Sequence, residues 1–396
     1  MKTIGSALDE HKGFGQGFDF LRIFLATAII ASHVAQLTGH QELVRTSGFW
    51  LLEYMLVPMF FALSGFLVAG SSMRLSPINF VLNRTARIVP ALVVDIIFAA
   101  LLIGPLVTTQ PIGAYFQSSI FFSYFLNIIG WIHYALPGVF ESNPLPEVNG
   151  ALWTVPFEIG CYVVLTALMV TGAIKKPRLV PLLTCAVLIA WIPLRVKSSQ
   201  MVGDDPSPMA ILATNLFLFR GSLLWPSFLI GIVFYQLRNS VPFSKWIAVA
   251  IGIAAIFASV FANAEVAFAN PTFCVIALPL LGYLTVTIGV STMPRLPGFG
   301  TGDYSYGLYL YHVPFLQLLI HYFPQAWSGD AWWTLFFAGF PLALTAAVVS
   351  WHVFEHPVLK FRSSFVIKHR PESGVGGLLD APPANRSPSA LAPRTA

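Results

Sequence analysis

His33 and His312, Asp19 and Glu158, and Arg22, Arg84 and Arg87 all stand inside or at the edge of long apolar runs. Ionisable groups are expensive there and mark functional positions by default. Arg22 and His33 are separated by about 16 Å along a helix and by about 20° around it, so they share one face. Taken alone, His33 also fits an interhelical histidine satisfied by a neighbour, and Asp19 with Arg22 fits an i, i+3 interfacial pair. Arg84 and Arg87 sit three apart at the head of a third apolar run. Their planar forks suit phosphate oxygens, although positive-inside anchoring explains the same spacing. Glu158 follows Leu152-Trp153-Thr154 and lies well inside a fifth run. A carboxylate at that depth can orient an imidazole, hold a hydroxyl substrate or pair with a buried arginine. His312 is a second intramembrane imidazole, in the tyrosine-rich stretch Tyr304–Val313.

The elements that must position these groups follow from composition. Apolar residues make up 56% of the 396 and charged residues 10%, against about 25% charged in a soluble domain. A spanning helix needs about 20 apolar residues, and eleven such segments are expected: 18–38, 49–70, 88–108, 113–133, 150–172, 179–194, 211–237, 246–263, 271–292, 304–323 and 331–354. The short alternating segments of a barrel are absent. The basic clusters at 74–87 and 175–178 fall on one side only if segment 113–133 does not cross. That segment carries Gln117, Ser118, Ser119, Ser123, Asn127 and His133, so it is expected to be re-entrant or interfacial on the outer side. The expected fold is an all-α polytopic membrane bundle of about ten spanning helices, both termini cytoplasmic, in the inner (plasma) membrane. Residues 1–13 form a polar cytoplasmic leader, 14–362 the membrane domain and 363–396 a disordered cytoplasmic tail. The loop 195–210 is expected outside although it carries Arg195 and Lys197. By a count of residues from the outer ends, His33 lies about 7 Å and Glu158 about 12 Å deep. The net charge of +5 reflects loop lysines and arginines, with no basic stripe for nucleic acid. Cys161, Cys185 and Cys274 suggest neither a disulfide framework nor a metal site.

Taken in order, six stretches resemble the acyltransferase 3 family of membrane O-acyltransferases. They are Phe18-Asp19-Phe20-Leu21-Arg22 with His33 at the family's spacing; Phe60-Phe61-Ala62-Leu63-Ser64-Gly65-Phe66-Leu67; Arg84-Thr85-Ala86-Arg87-Ile88-Val89-Pro90; Leu152-Trp153-Thr154 with Glu158; Tyr304-Ser305-Tyr306-Gly307-Leu308-Tyr309-Leu310-Tyr311-His312; and Glu355-His356-Pro357. Thr154 stands where the family often has Ser and keeps the hydroxyl. The resemblance implies transfer of an acyl group, acetyl by default, from cytosolic acyl-CoA to a sugar hydroxyl of an extracytoplasmic polysaccharide or glycoconjugate. It implies His33 as central catalytic residue, either general base or transient acyl carrier. Arg84 and Arg87 would bind CoA phosphates, and Arg22 with Asp19 would hold the first helix or the pantetheine end. Glu158 would orient His33 or the acceptor. Trp153, Thr154 and His312 would line the acceptor side, and no metal is implied. The rival reading is a transporter for a small solute or lipid-linked sugar, since buried charge and a re-entrant segment suit one. Paired broken helices in corresponding halves, which would support it, are missing from the sequence.

Overall fold

Where the chain has no water to satisfy its backbone, helices are the available solution, and helices make up most of the described residues. The computed structural model describes residues 2–10, 15, 17–201, 220–261, 270–294 and 302–367. Among them the principal helices are α1 (Ile4–Glu10), α2 (Gly17–Leu37), α3 (Gln41–Thr46), α4 (Trp50–Ser72), α5 (Pro77–Phe98), α6 (Ile112–Gln117), α7 (Ser119–Tyr124), α8 (Val155–Val170), α9 (Leu179–Met201), α10 (Leu224–Gln236), α11 (Lys245–Phe261), α12 (Pro271–Val290), α13 (Ser305–Tyr322), α14 (Leu335–Ser350) and α15 (His356–Ile367). A π turn at Ala99–Ile103 and a last helical turn at Gly104–Val107 prolong α5. A second π turn at Trp351–Glu355 joins α14 to α15.

The protein is an all-α polytopic membrane protein. Six stretches are long and apolar enough to cross a bilayer: Gly17–Leu37, Glu53–Ser72, Pro77–Val107, Gly150–Val170, Pro271–Val290 and Gly329–Arg362. The other four expected spans correspond to the shorter apolar helices Leu179–Leu194, Gly221–Gln236 and Lys245–Phe261, and to α13. Helix α13 buries polar side chains: His312 and Gln317 are both fully buried.

Two groups of helices pack together. Helix α4 lies against α10, α2 and α12, while α13 lies against α14, α2 and α5. Gly65 and Gly231 explain the first contact. A side chain at Gly65 would strike the carbonyl of Phe228, and one at Gly231 would strike the carbonyl of Ala62. The two backbones touch directly, the close approach that small residues permit between helices in lipid.

Segment 113–133 is broken, in keeping with its polar content, and three other stretches differ from the sequence expectation. Residues 113–133 form two six-residue helices and a 3-10 turn, Phe125–Ile129, with Ser118 extended between the helices, so no continuous helix of spanning length exists there. Helix α9 runs on through Arg195 and Lys197 to Met201, where a loop from 195 was expected. No glycine or proline interrupts 195–201, and residues such as Arg, Lys, Gln and Met sustain a helix after the apolar run ends. The leader is not simply a polar arm. Ile4, Gly5, Ala7 and Leu8 of α1 are buried, and the backbone docks through Ile4 N–H on Val241 O (3.0 Å), Gly5 N–H on Arg238 O (2.7 Å) and Phe243 N–H on Lys2 O (2.8 Å). The expected tail from 363 is helical as far as Ile367, and 368–396 lie outside the described residues, as do 202–210 of the expected loop and 211–219 of the expected segment 211–237.

Candidate active site

Helices α2 and α13 bring His33 and His312 together. Nδ1 of His33 lies 2.6 Å from Nε2 of His312, and the rings stack with centroids 4.9 Å apart and planes 8° apart. Nδ1 of His312 lies 2.7 Å from the carbonyl oxygen of Tyr309. A carbonyl only accepts, so this Nδ1 carries the proton. In the neutral ring Nε2 of His312 is then an acceptor, and His33 donates to it from Nδ1. The neutral His33 ring is left with its lone pair on Nε2, the tautomer a base or nucleophile requires.

The residues that hold His312 are themselves held. Tyr309 shares a 3.0 Å hydrogen bond with the Thr154 hydroxyl and donates to Ala151 O at 3.1 Å. Thr154 and Trp153 lie in the 3-10 turn Gly150–Thr154 that opens α8. Pro314 cannot supply the N–H that would bond the Leu310 carbonyl. The amide of Asn149 takes that role at 2.9 Å, and it also donates to the fully buried Asp95 at 2.8 Å.

At the opposite end of these helices lies a charge cluster. Arg87 pairs with Asp303 at 2.7 Å and with Glu355 at 3.2 Å, and Arg22 pairs with Asp303 at 3.0 Å. Ser350 donates to Glu355 (3.1 Å), and Tyr311 donates to Ser350 (2.7 Å). The rings of Trp351 and Tyr306 flank the Arg87 guanidinium at 5.3 and 5.8 Å. Burial raises the Asp303 carboxyl, but Arg87 and Arg22 outweigh it and hold the group well below the usual carboxylate range. Asp19 is largely exposed and reaches Arg22 at 3.4 Å.

Glu158 stands in the first turn of α8, where the helix dipole favours an anion. Its carboxylate accepts from Tyr162 at 2.9 Å and lies within electrostatic range of Arg87 and Arg84. Arg84 sits over the Phe80 ring at 5.9 Å. Its Nε is buried without a hydrogen-bond partner, and no carboxylate pairs with it among the described residues.

The structure therefore regroups the expected residues. His312 orients His33, Arg22 and Arg87 are tied to carboxylates, and Glu158 belongs with the arginines. Asp303, Glu355, Tyr309, Asn149 and Asp95 were not among the expected site residues. Asp95 and Glu355 carried a usable signal, a carboxylate within an apolar run; Tyr309 and Asn149 act through contacts that only the fold creates. No group of three or more potential metal ligands occurs among the described residues.

Comparison with known proteins follows the same lines. A family model described as an acyltransferase domain, that of acyltransferase 3, matches residues 16–352. The chain belongs to the acyltransferase 3 family. As a member of it, the protein is an integral-membrane acyltransferase, which displaces the transporter reading. It is similar to nodulation protein 10 of Rhizobium leguminosarum bv. viciae, at 26% identity over 92% of this chain and 99% of that protein. It is also similar to an O-acetyl transferase of Shigella phage Sf6, at 27% identity over 77% of this chain and 85% of that protein. No solved structure matches. The acyltransferase 3 match covers α2 through Trp351 and so includes both histidines, the Arg84–Arg87 pair and Glu158.

Proposed function

We propose that this acyltransferase moves an acetyl group from cytosolic acetyl-CoA to a sugar hydroxyl of an extracytoplasmic polysaccharide or glycoconjugate, with His33 as general base. The observation that carries this is the Tyr309 O, His312, His33 relay, which leaves Nε2 of His33 unprotonated. The acceptor hydroxyl gives its proton to that nitrogen while its oxygen attacks the thioester carbonyl. The carbon–sulfur bond then breaks, and the proton passes from His33 to the departing CoA thiolate. His312 keeps its own proton on Tyr309 O throughout and spreads the charge that His33 gains. This division of labour raises the rate by about 10²–10⁴ in general acid–base catalysis.

Arg84 is the cation we assign to the CoA phosphates, because Arg87 and Arg22 are already neutralised by Asp303 and Glu355. Their cluster fixes the cytoplasmic ends of α2, α5, α13 and α14. Glu158, hydrogen-bonded to Tyr162, lies within electrostatic range of both Arg84 and Tyr309 and suits the polar thioester end of the donor. This reading keeps the expected orientation, with both termini cytoplasmic in the inner membrane, ten spans, and residues 113–133 re-entrant from the outer side. Transfer of label from radioactive acetyl-CoA to host glycans, in membranes carrying equal amounts of wild type, His33→Ala and Arg84→Ala, tests it. Label on glycan that is lost in His33→Ala and needs more donor in Arg84→Ala is the expected result; equal transfer without His33 would overturn the mechanism.

A further inference from the structure

A cleft of about 480 Å³ opens between the turn after Phe125–Ile129 and the start of α8, lined by Gly130, Trp131, Tyr134, Trp153 and Phe157 among others. Its volume is within the usual range for a small-molecule site. One wall is the turn after Phe125–Ile129, and the other is the 3-10 turn that carries Trp153.

The first wall is built rather than loose. Gly130 has φ +81°, and a side chain there would meet Ile159 at 3.0 Å and Pro156 at 3.5 Å. Asn127 ties the turn down by donating to Tyr124 O and His133 O (2.8 and 2.9 Å) and accepting from His133 N–H (2.8 Å). This rigid turn presents Trp131 with 67% of its surface exposed. The polar group of the lining is Tyr134. Burial, reinforced by Glu147, pushes the Tyr134 phenol up to about 12, and burial also raises the Glu147 carboxyl. The backbone ties this part of the chain together: Val148 N–H, next to Glu147, donates to Tyr134 O at 2.7 Å. The second wall is tied to the relay through bonded neighbours: Trp153 precedes Thr154, which bonds the Tyr309 hydroxyl, and the Tyr309 carbonyl holds His312.

We infer that this cleft holds one pyranoside ring of the acceptor, stacked on Trp131 or Trp153, with its hydroxyls on Tyr134. The inference rests on the acetyltransferase reading above and adds where and how the sugar is recognised. A pyranoside has an apolar C–H face, which suits the electron-rich face of an indole. Its equatorial hydroxyls need both donors and acceptors, and the Tyr134 phenol supplies both. An anionic or purely aliphatic acceptor matches neither feature.

Trp131→Ala is the decisive variant because the exposed indole contributes little to folding; Trp131→Phe retains an aromatic face. Two readouts apply to the detergent-purified full chain. One is binding of methyl α-D-glucopyranoside, methyl α-L-rhamnopyranoside and methyl N-acetyl-β-D-glucosaminide, followed by saturation-transfer NMR. The other is acetyl transfer to host glycan. The expected result is binding of at least one glycoside that Trp131→Ala abolishes and Trp131→Phe keeps, with an acceptor KM raised about tenfold, the equivalent of about 1.4 kcal/mol, and an unchanged donor KM. Transfer and glycoside binding at wild-type levels in Trp131→Ala would overturn the inference while leaving the acetyltransferase reading intact. Trp131-dependent binding without any transfer would uphold the cleft and sink that reading. A Trp131→Ala effect confined to thermal stability in lipid would make Trp131 an interfacial anchor and overturn the inference.

Discussion

His33 and His312 are 2.6 Å apart, nitrogen to nitrogen, on helices separated by more than half the chain. The pair makes a direct demand on kinetics. His33→Ala removes the base and is expected to cut transfer by about 10²–10⁴. His312→Ala leaves the base but frees its ring and its tautomer. A loss of about ten- to a hundredfold in kcat is expected, the size seen when partners that orient metal-bound imidazoles are removed. Donor KM should stay constant in both. His312→Gln can still accept from His33 and should recover part of the rate. Wild-type kcat in His312→Ala would show that the stacking is only packing.

The three arginines are expected to separate cleanly. Arg87→Ala leaves Glu355, which is 1% exposed, without its cation, and breaking such a buried pair costs about 3–5 kcal/mol. The measurable consequence is a lower melting temperature in detergent and less protein in the membrane. Arg84→Ala removes no ion pair, so stability should hold while the donor KM rises. If Arg84→Ala unfolds the protein and Arg87→Ala changes only donor KM, the assignment of the two is reversed.

The carboxyl of Asp303 sets an acid limit. Its folded pKa is depressed, so the stabilisation it brings is full above the unfolded carboxylate value of about 3.9 and is lost as pH falls towards the folded value. Asp303→Asn should therefore lower the melting temperature at pH 7 and flatten its decline between pH 5 and pH 3. Parallel curves for wild type and variant would remove Asp303 from the acid response.

Labelling tests the path of residues 113–133. Ala135 is exposed in the turn region after this segment, and Cys185 is the exposed native thiol. In a Cys185→Ser background, Ala135→Cys should react with an impermeant maleimide from outside intact cells. Reaction only after the inner face is opened would place this region on the cytoplasmic side.

The spans and their polar content were largely legible, because a run of about 20 apolar residues interrupted by Arg, His or Glu is a one-dimensional signal. Arg22 and His33 do share α2, and the serines and Asn127 of 113–133 do mark a broken segment. What spacing could not convey is partnership. Arg84 and Arg87 look equivalent at i, i+3, yet the second meets Asp303 and Glu355 from distant helices and the first does not. Glu158 and His33 looked close in depth, but depth does not say which helices are neighbours, and the ring that reaches His33 comes from α13. The leader misled for a different reason. Ile4, Ala7 and Leu8 make an apolar stripe on a helix only seven residues long, too short to read as a helix until its docking partner at 238–243 is known.

Gln317 has an effect on how this enzyme can be altered. Its side-chain amide donates to the carbonyls of Leu145 and Glu147 at 2.7 and 2.6 Å, while its own oxygens accept from Asn143 at 2.7 and 3.0 Å. The 130–149 stretch is thereby sewn to the helix that carries His312, one turn and a half away. Grafting that stretch from a relative with another acceptor would leave four hydrogen-bonding groups mismatched unless the matching part of α13 came with it. The unit of exchange for retargeting the enzyme is a loop and a helix together, two pieces of chain that lie far apart in the gene.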